Sequence, residues 1–461
     1  MASAVQPRAR TVAEPLAPGT TPQRVRAIWA LAWPVILAFS LESIVGLCDA
    51  LMVGRLGAAP TAAVGLGIHV LSAVNLGMFA VGTGALAIVS RHIGAGERHA
   101  AEHALTQAIL AALGLSVLVA VPVMLATPQL VALFQVAPDV ATQATPFVRV
   151  IMLAVPADAV VFTIAASLRA AGDTRTPLAV GIVVGVANVA IAWVLIFGRF
   201  GFPALGVLGA AVATVTAFAL GAVLGVGLLA RGDLGLRLRW GGRRLDAAAI
   251  RRLLRVGYPA AVEHLLMQAG FLAYMAFAAR YGTAAVAAYF IGVRILALAF
   301  LPGFGFGAAA GTLVGQALGA RRPAEAARSG WLATGLAIAL MTTGSLALFA
   351  FARPIARLFV DDDAVVDAAV SFIRMLALAQ PLMAIDFTLG GALRGAADTR
   401  LPLVAALVGF YGVRLGLSVL VALVLHLDLV WLWATLLGDY LVRAALKIWR
   451  FRSGRWAELR V

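Results

Sequence analysis

Twelve stretches of this chain run for about 20 residues or more with few charges, each long enough to cross ~30 Å of hydrocarbon as a helix. They fall near 28–54, 62–90, 99–125, 144–170, 177–199, 206–230, 253–279, 285–318, 325–351, 365–393, 402–425 and 429–450. Lipid offers no water to backbone N–H and C=O groups, so a spanning segment is either a helix or part of a closed barrel. Barrel strands are short and alternate apolar with polar residues; these runs are long and unbroken. The sequence therefore predicts an all-α integral membrane protein of twelve transmembrane helices. Its composition, 62% hydrophobic and 12% charged, excludes a soluble globular domain and a disordered chain.

The net charge of +15 resembles a nucleic-acid footprint, but its placement argues otherwise. With the twelve spans in place, one set of alternate loops and tails holds 27 basic residues and the opposite set holds 5. Such asymmetry is an orientation signal, and it predicts that both termini are cytoplasmic. No nucleic-acid partner is expected. Residues 1–27, with four Arg and four Pro, read as a flexible cytoplasmic arm rather than a signal peptide. The single cysteine, Cys48, lies in an apolar run and reads as a packing residue.

The chain repeats itself. LRAAGDTRTPL at 168–178 and LRGAADTRLPL at 393–403 agree at eight of eleven positions, 225 residues apart. The same offset pairs Pro34 with Pro259, Arg55 with Arg280, Gly57 with Gly282, Phe147 with Phe372 and Pro156 with Pro381. Two homologous six-helix lobes follow, and because six is even both enter the membrane from the same side. The predicted organisation is an arm (1–27), an N-lobe (28–230), a cytoplasmic Arg-rich linker (231–252), a C-lobe (253–450) and a cytoplasmic tail (451–461).

Charge inside a span is costly and marks function by default. The acids so placed are Glu42, Asp49, Asp158, Glu263, Asp386 and Asp439, against Arg149, Arg294, Arg374 and Arg414. More acids than fixed cations suits a carrier whose acids are protonated or matched by a bound cation for part of a cycle. Glu42 and Asp49 are seven apart and share one helix face, on a helix that Pro34 can kink. Asn188 and Thr214 are small polar residues on the fifth and sixth helices. Asp439 reads as a buried structural partner of Arg414 or Arg443. Arg294 is placed to hold Asp386 or Glu263, and Arg149 and Arg374 to snorkel. Asp173 and Asp398, in the repeated turns, read as caps for the helices that follow. Gly82, Gly84, Gly303, Gly305 and Gly307 allow helices to approach closely.

GLCDALMVGRLG (46–57) resembles the first-helix signature of the MATE transporters, the multidrug and toxic-compound extrusion family. Pro34, both copies of the repeated turn, GFPALGVLGAAVAT (201–214), RILALAFLPGFGFGAAAGTLVGQALGAR (294–321) and LVRAALKIWRFRSGRW (441–456) fit as well, so the likeness covers nearly the whole chain. Its acid positions look closer to the DinF-type branch. The resemblance implies two lobes around a V-shaped cleft and antiport of organic cations or amphiphilic drugs against protons or sodium by alternating access. It further implies that Asp49 couples the ion, assisted by Asn188; Thr214 also takes a family position. Where relatives carry a second acid on the fifth helix this chain has Ala192, a departure from the two-carboxylate pattern.

The expected coupling residues are thus Asp49, Glu42, Asn188 and Thr214, and the expected C-lobe cavity residues Glu263, Asp386, Arg294 and Asp439. The coupling ion, H+ or Na+, is transported, and neither a bound cofactor nor a metal site is expected. The protein is expected to be a monomer in the bacterial inner membrane, with a small amphiphilic or cationic substrate. A flippase for a lipid-linked precursor is the alternative, although relatives of that type usually carry fourteen spans and a cationic cavity. A membrane enzyme is disfavoured: H-E-x-x-H, G-x-S-x-G and the Walker loop are all missing from the sequence.

Overall fold

The computed structural model describes residues 20–232, 234–238 and 245–459. The arm to residue 19, residues 233 and 239–244 of the linker and the last two residues lie outside them. Among the described residues there is no strand. Twelve helices or joined helices are long and apolar enough to span a membrane. The chain is a multi-pass membrane protein.

Helix α1 (Thr21–Gly54) is continuous through Pro34. The second span is divided into α2 (Ala58–Val74) and α3 (Leu76–Gly94), joined at Asn75. Then come α4 (Arg98–Leu125), a short α5 (Thr127–Leu133) and α6 (Pro138–Ile151), followed by a 3-10 turn (Met152–Ala154) and α7 (Val155–Ala170). Helices α8 (Arg175–Phe197) and α9 (Val207–Arg231) complete the first set. The second set repeats it: α10 (Ala247–Ala279), α11 (Thr283–Ala299) and α12 (Leu301–Gly319) joined at Phe300, α13 (Pro323–Ala350), the short α14 (Ala352–Arg357) and α15 (Asp363–Gly395). Next is α16 (Arg400–Ala406), continued by π-helical turns (Leu407–Leu415), α17 (Gly416–Val419) and further π turns (Leu420–Val424); α18 (Leu429–Arg452) is last.

The 225-residue offset therefore holds down to short elements, with α5 and α14 starting at exact repeat positions. The mates differ chiefly in two places. The fourth span is broken at Met152–Ala154, whereas its mate α15 runs unbroken through Pro381. The eleventh span carries π turns where its mate α8 is regular.

Each set has its own apolar core, and the division is not the one expected at the linker. One compact unit comprises Leu37–Tyr258; the other comprises Pro259 onward together with the start of α1, through Ile36. Leu253, at the start of α10, is buried in the first core, and Ile28 and Ala32, at the start of α1, in the second. Glycine makes these attachments possible. A Cβ on Gly257 would sit 1.7 Å from the Ala80 carbonyl oxygen, and one on Gly305 would sit 2.9 Å from that of Ala32. The reason for the shifted boundary is that α1 and α10 are continuous past their prolines, so each carries its first turns into the other unit's packing. The outward faces are Leu, Val, Phe and Trp, such as Leu118, Val223, Leu346 and Trp431, as a surface facing hydrocarbon requires.

Candidate functional site

In the first unit, Asp49 sits near the end of α1 and Asn188 midway along α8. Asn188 Nδ2 donates to Asp49 Oδ2 at 2.8 Å, so the expected pair is in contact. Asn188 is 5% exposed. The other oxygens of the pair, Asp49 Oδ1 and Asn188 Oδ1, are buried without a hydrogen-bond partner. Such an arrangement leaves two hard oxygen atoms free, one of the carboxylate itself and one of the amide, and oxygens of that kind bind protons and hard cations. Ala192, one turn beyond Asn188, is fully buried, so packed methyl occupies the place of a second acid. Thr214 stands apart from the pair's hydrogen bond, donating to the Ala210 carbonyl of its own helix at 3.1 Å.

A second polar group lies in the same unit. Glu42, two turns before Asp49, interacts electrostatically with Arg169 and with Asp158. Asp158 Oδ2 accepts from Asn75 Nδ2 at 3.2 Å. Three carboxylates, Glu42, Asp49 and Asp158, thus lie in the spans of this unit with Arg169 facing one of them.

The second unit has the opposite balance. Asp386, 1% exposed, accepts from Arg443 Nη2 at 2.7 Å and from the Lys447 ammonium, which also donates to the Asp386 carbonyl at 3.1 Å. Glu263 Oε2 accepts from Arg394 Nη1 at 2.9 Å. Asp439 Oδ2 lies 3.8 Å from Arg414 Nη1 and 4.0 Å from Arg443 Nη1. Arg414, aimed inward from the π turns, lies over Tyr274 with its guanidinium carbon 4.1 Å from the ring centroid, and over Phe410 at 4.9 Å. Four cations therefore face three acids.

Arg294 was expected beside Asp386 or Glu263; it is exposed instead, and Arg443, Lys447 and Arg394 take those acids. Arg443 and Lys447, counted above among the 27 basic residues of the cytoplasmic side, are buried residues of α18 and drop out of the orientation count, whose asymmetry survives their loss. Their sequence signal was available. Asp439, Arg443 and Lys447 recur every four residues and so share one face of a helix. Asp173 caps α8, accepting from the Arg175 and Thr176 N–H groups at 3.1 and 3.0 Å, whereas Asp398 pairs with Arg450 at 2.6 Å.

The sequence profile of one family, MatE, matches residues 34–194 and again 259–420. The chain belongs to the MatE family. Both matches begin at a repeated proline, and each covers most of one half, as the internal repeat requires. A probable multidrug resistance protein NorM from Thermotoga maritima is 28% identical over 450 residues, covering 95% of this chain and 94% of its own. A multidrug resistance protein NorM from Burkholderia vietnamiensis is 30% identical, covering 91% and 92%. Among solved structures, a MOP-superfamily transporter from Pyrococcus furiosus, described as having a binding pocket of reversed polarity that suggests a different function, superposes with a TM-score of 0.87 at 19% identity, over 95% of this chain and 97% of that one. A MATE transporter from Vibrio cholerae gives 0.87 at 20% identity, over 95% and 99%. At these identities the two structures show the MatE fold. The protein is thus a membrane transporter of twelve spans in two homologous lobes.

Proposed function

We propose that this MatE transporter is a secondary antiporter that exports organic cations or amphiphilic drugs in exchange for protons, with Asp49 as the coupling residue. The observation that carries the reading is the Asp49–Asn188 pair, a carboxylate inside a span with one of its own oxygens and the amide oxygen buried without partners. A proton or an alkali cation completes that set, whereas an unmatched charge there is costly. The named function of the NorM relatives supports a drug as cargo. The basic loop asymmetry supports insertion in the cytoplasmic membrane with both termini inside. The protein works as a monomer in this reading.

The test is efflux of ethidium or norfloxacin in everted vesicles, driven separately by a proton gradient and by a sodium gradient. Transport by the wild type under the proton gradient without sodium is expected, and Asp49→Asn abolishes it. Transport under sodium alone would reassign the coupling ion. No transport under either gradient would refute antiport of these drugs.

A further inference from the structure

We propose that Asp158 is a second proton-binding residue of the first unit, and that its protonation resets the joint between α2 and α3 through Asn75. The proposal rests on reading the chain as proton-coupled.

The repeat supplies an internal control. Both units join the two parts of their second span at equivalent residues, Asn75 and Phe300. Both brace that joint with an equivalent aromatic pair, Phe79–Phe162 at 5.6 Å and Phe304–Phe387 at 4.9 Å between ring centroids. In the second unit the joint residue is itself aromatic, with Phe300 packed on Phe387 at 4.9 Å, and the mate of Asp158 is the fully buried Met383. The fold therefore builds this joint from apolar groups alone. Only the first unit adds a carboxylate and an amide, so the polar pair exceeds what the architecture needs.

Its geometry suits a proton. Asp158 lies in the first turn of α7, directly after the 3-10 interruption that α15 lacks. One hydrogen bond, Asn75 Nδ2 to Asp158 Oδ2, thus ties the joint of the second span to the break in the fourth. In the ionised state the carboxylate accepts that bond. Asn75 Oδ1 is buried without a partner. A proton taken from water by Asp158 forms an O–H that can donate to this oxygen, closing an acid–amide pair with two bonds in place of one. The ionised pair holds by one bond and leaves Asn75 Oδ1 without a partner, and the protonated pair holds by two, so the two states bind Asn75 differently. Since Asn75 is the joint, a change in its side-chain bonding bears on the angle between α2 and α3.

The charged group acting on Asp158 is Glu42 from α1, whose carboxylate repels it; Arg169, eleven residues further along the helix of Asp158, acts on Glu42. The neighbouring helices carry charge toward their ends: Arg91 and His92 on α3; Arg98, His99, Glu102 and His103 on α4; Arg175 on α8; and Arg231 on α9. The proton is released to water on the far side when the carboxylate re-forms.

The experiment uses the full chain in lipid vesicles with two readouts. In a Cys48→Ser background, spin labels at the exposed positions Ile68 on α2 and Leu118 on α4 report the joint at high and low pH, with no transport required. A pH-dependent distance is expected in the unsubstituted chain and in Asp49→Asn, and a fixed distance in Asp158→Asn. Proton-driven efflux is expected to fall by about tenfold in Asp158→Asn, with a flattened pH profile, and to recover in part in Asp158→Glu. Because Asp158→Asn could misfold, a second variant transplants the other unit's residues, Asn75→Phe with Asp158→Met. It is expected to fold and to hold one distance at all pH values. A pH-dependent distance or a wild-type pH profile in either variant would overturn the proposal. A wild type that moves its joint with pH but shows no proton-driven efflux would fail the antiport reading and leave the joint standing.

Discussion

Asp386→Asn offers the sharpest stability prediction, because Asp386 is the acceptor for two buried cations at once. Its carboxylate accepts from Arg443 at 2.7 Å and from Lys447, and all three side chains are at most 4% exposed. Removing this one negative charge leaves Asp439, 3.8 and 4.0 Å from the Arg414 and Arg443 guanidiniums, and Glu263, already paired with Arg394, as the acids near these cations. Breaking a buried pair from one side costs about 3–5 kcal/mol, because a desolvated charge is left behind. At about 2–4 °C per kcal/mol for a unit of roughly 200 residues, the melting temperature should fall by about 6–20 °C. The assay is thermal unfolding of the purified protein in detergent, followed by tryptophan fluorescence. Asp386→Asn with Lys447→Met removes a cation together with the acid and should regain about half of the loss. If instead Asp386 serves as a cation or substrate site with no structural duty, the amide leaves the melting temperature unchanged and lowers transport alone. A shift under about 2 °C, or a double variant no better than the single one, would refute the structural pairing.

Other predictions follow from single contacts. Gly257→Ala places a Cβ 1.7 Å from the Ala80 carbonyl and should cost about 1–3 kcal/mol, read as a lower melting temperature; an unchanged value would mean that the α10 start does not pack there. Asp246, ahead of α10, accepts from the Ala248 and Ala249 N–H groups, each at 3.0 Å, and from His103 at 3.1 Å. The Ala249 amide, foremost, and the His103 ring hold its carboxyl below the ordinary carboxylate value. A depressed folded-state value stabilises above the usual carboxylate range and ceases to do so as pH falls through it; Asp246→Ala should therefore destabilise at neutral pH and lose that acid-side decline, as melting curves across pH would reveal. A cysteine placed at position 240 should label only from the cytoplasmic side of intact cells, and labelling from outside would reverse the proposed orientation.

The spans were legible because hydropathy over about 20 residues is a long-range average that tolerates local irregularity. The joints were not. Asn75 lies in an apolar run, and one amide does not alter that average, yet it is where the second span divides. The π turns from Leu407 to Leu415 aim Arg414 inward, and no residue in LVGFYGVRL marks them. At the site, the Asp49–Asn188 pair was reached through the family likeness, since 139 residues separate its members. Lys447 was misplaced for a different reason. A basic residue near a helix end reads as a loop charge until the Asp386 carboxylate is known to face it. The exchange of helix starts between the units was equally hidden, because nothing in a continuous helix records which core its first turns join.

The two repeats began as one pattern, and their divergence is electrostatic rather than architectural. The first unit keeps Glu42, Asp49 and Asp158 in its spans with Arg169 beside one of them, and two of these acids are held by single amides, Asn188 and Asn75. An amide is a weak, neutral partner; it leaves a carboxylate free to gain and lose a proton. The second unit gives Asp386, Glu263 and Asp439 fixed cations: Arg443 and Lys447 for Asp386, Arg394 for Glu263, and Arg414 with Arg443 near Asp439. A guanidinium at that range fills the role a transported cation would fill, so those acids have little to offer an ion in transit. On the antiport reading proposed above, exchange of protons belongs to the unit whose acids are partnered by amides, and a stable buried frame to the one whose acids are partnered by arginine and lysine. Replacing Asn188 with Arg would impose the second arrangement on Asp49. It should abolish proton-driven efflux as completely as Asp49→Asn does while leaving Asp49 in place, and efflux at the wild-type rate in Asn188→Arg would show that the partner's charge does not govern coupling.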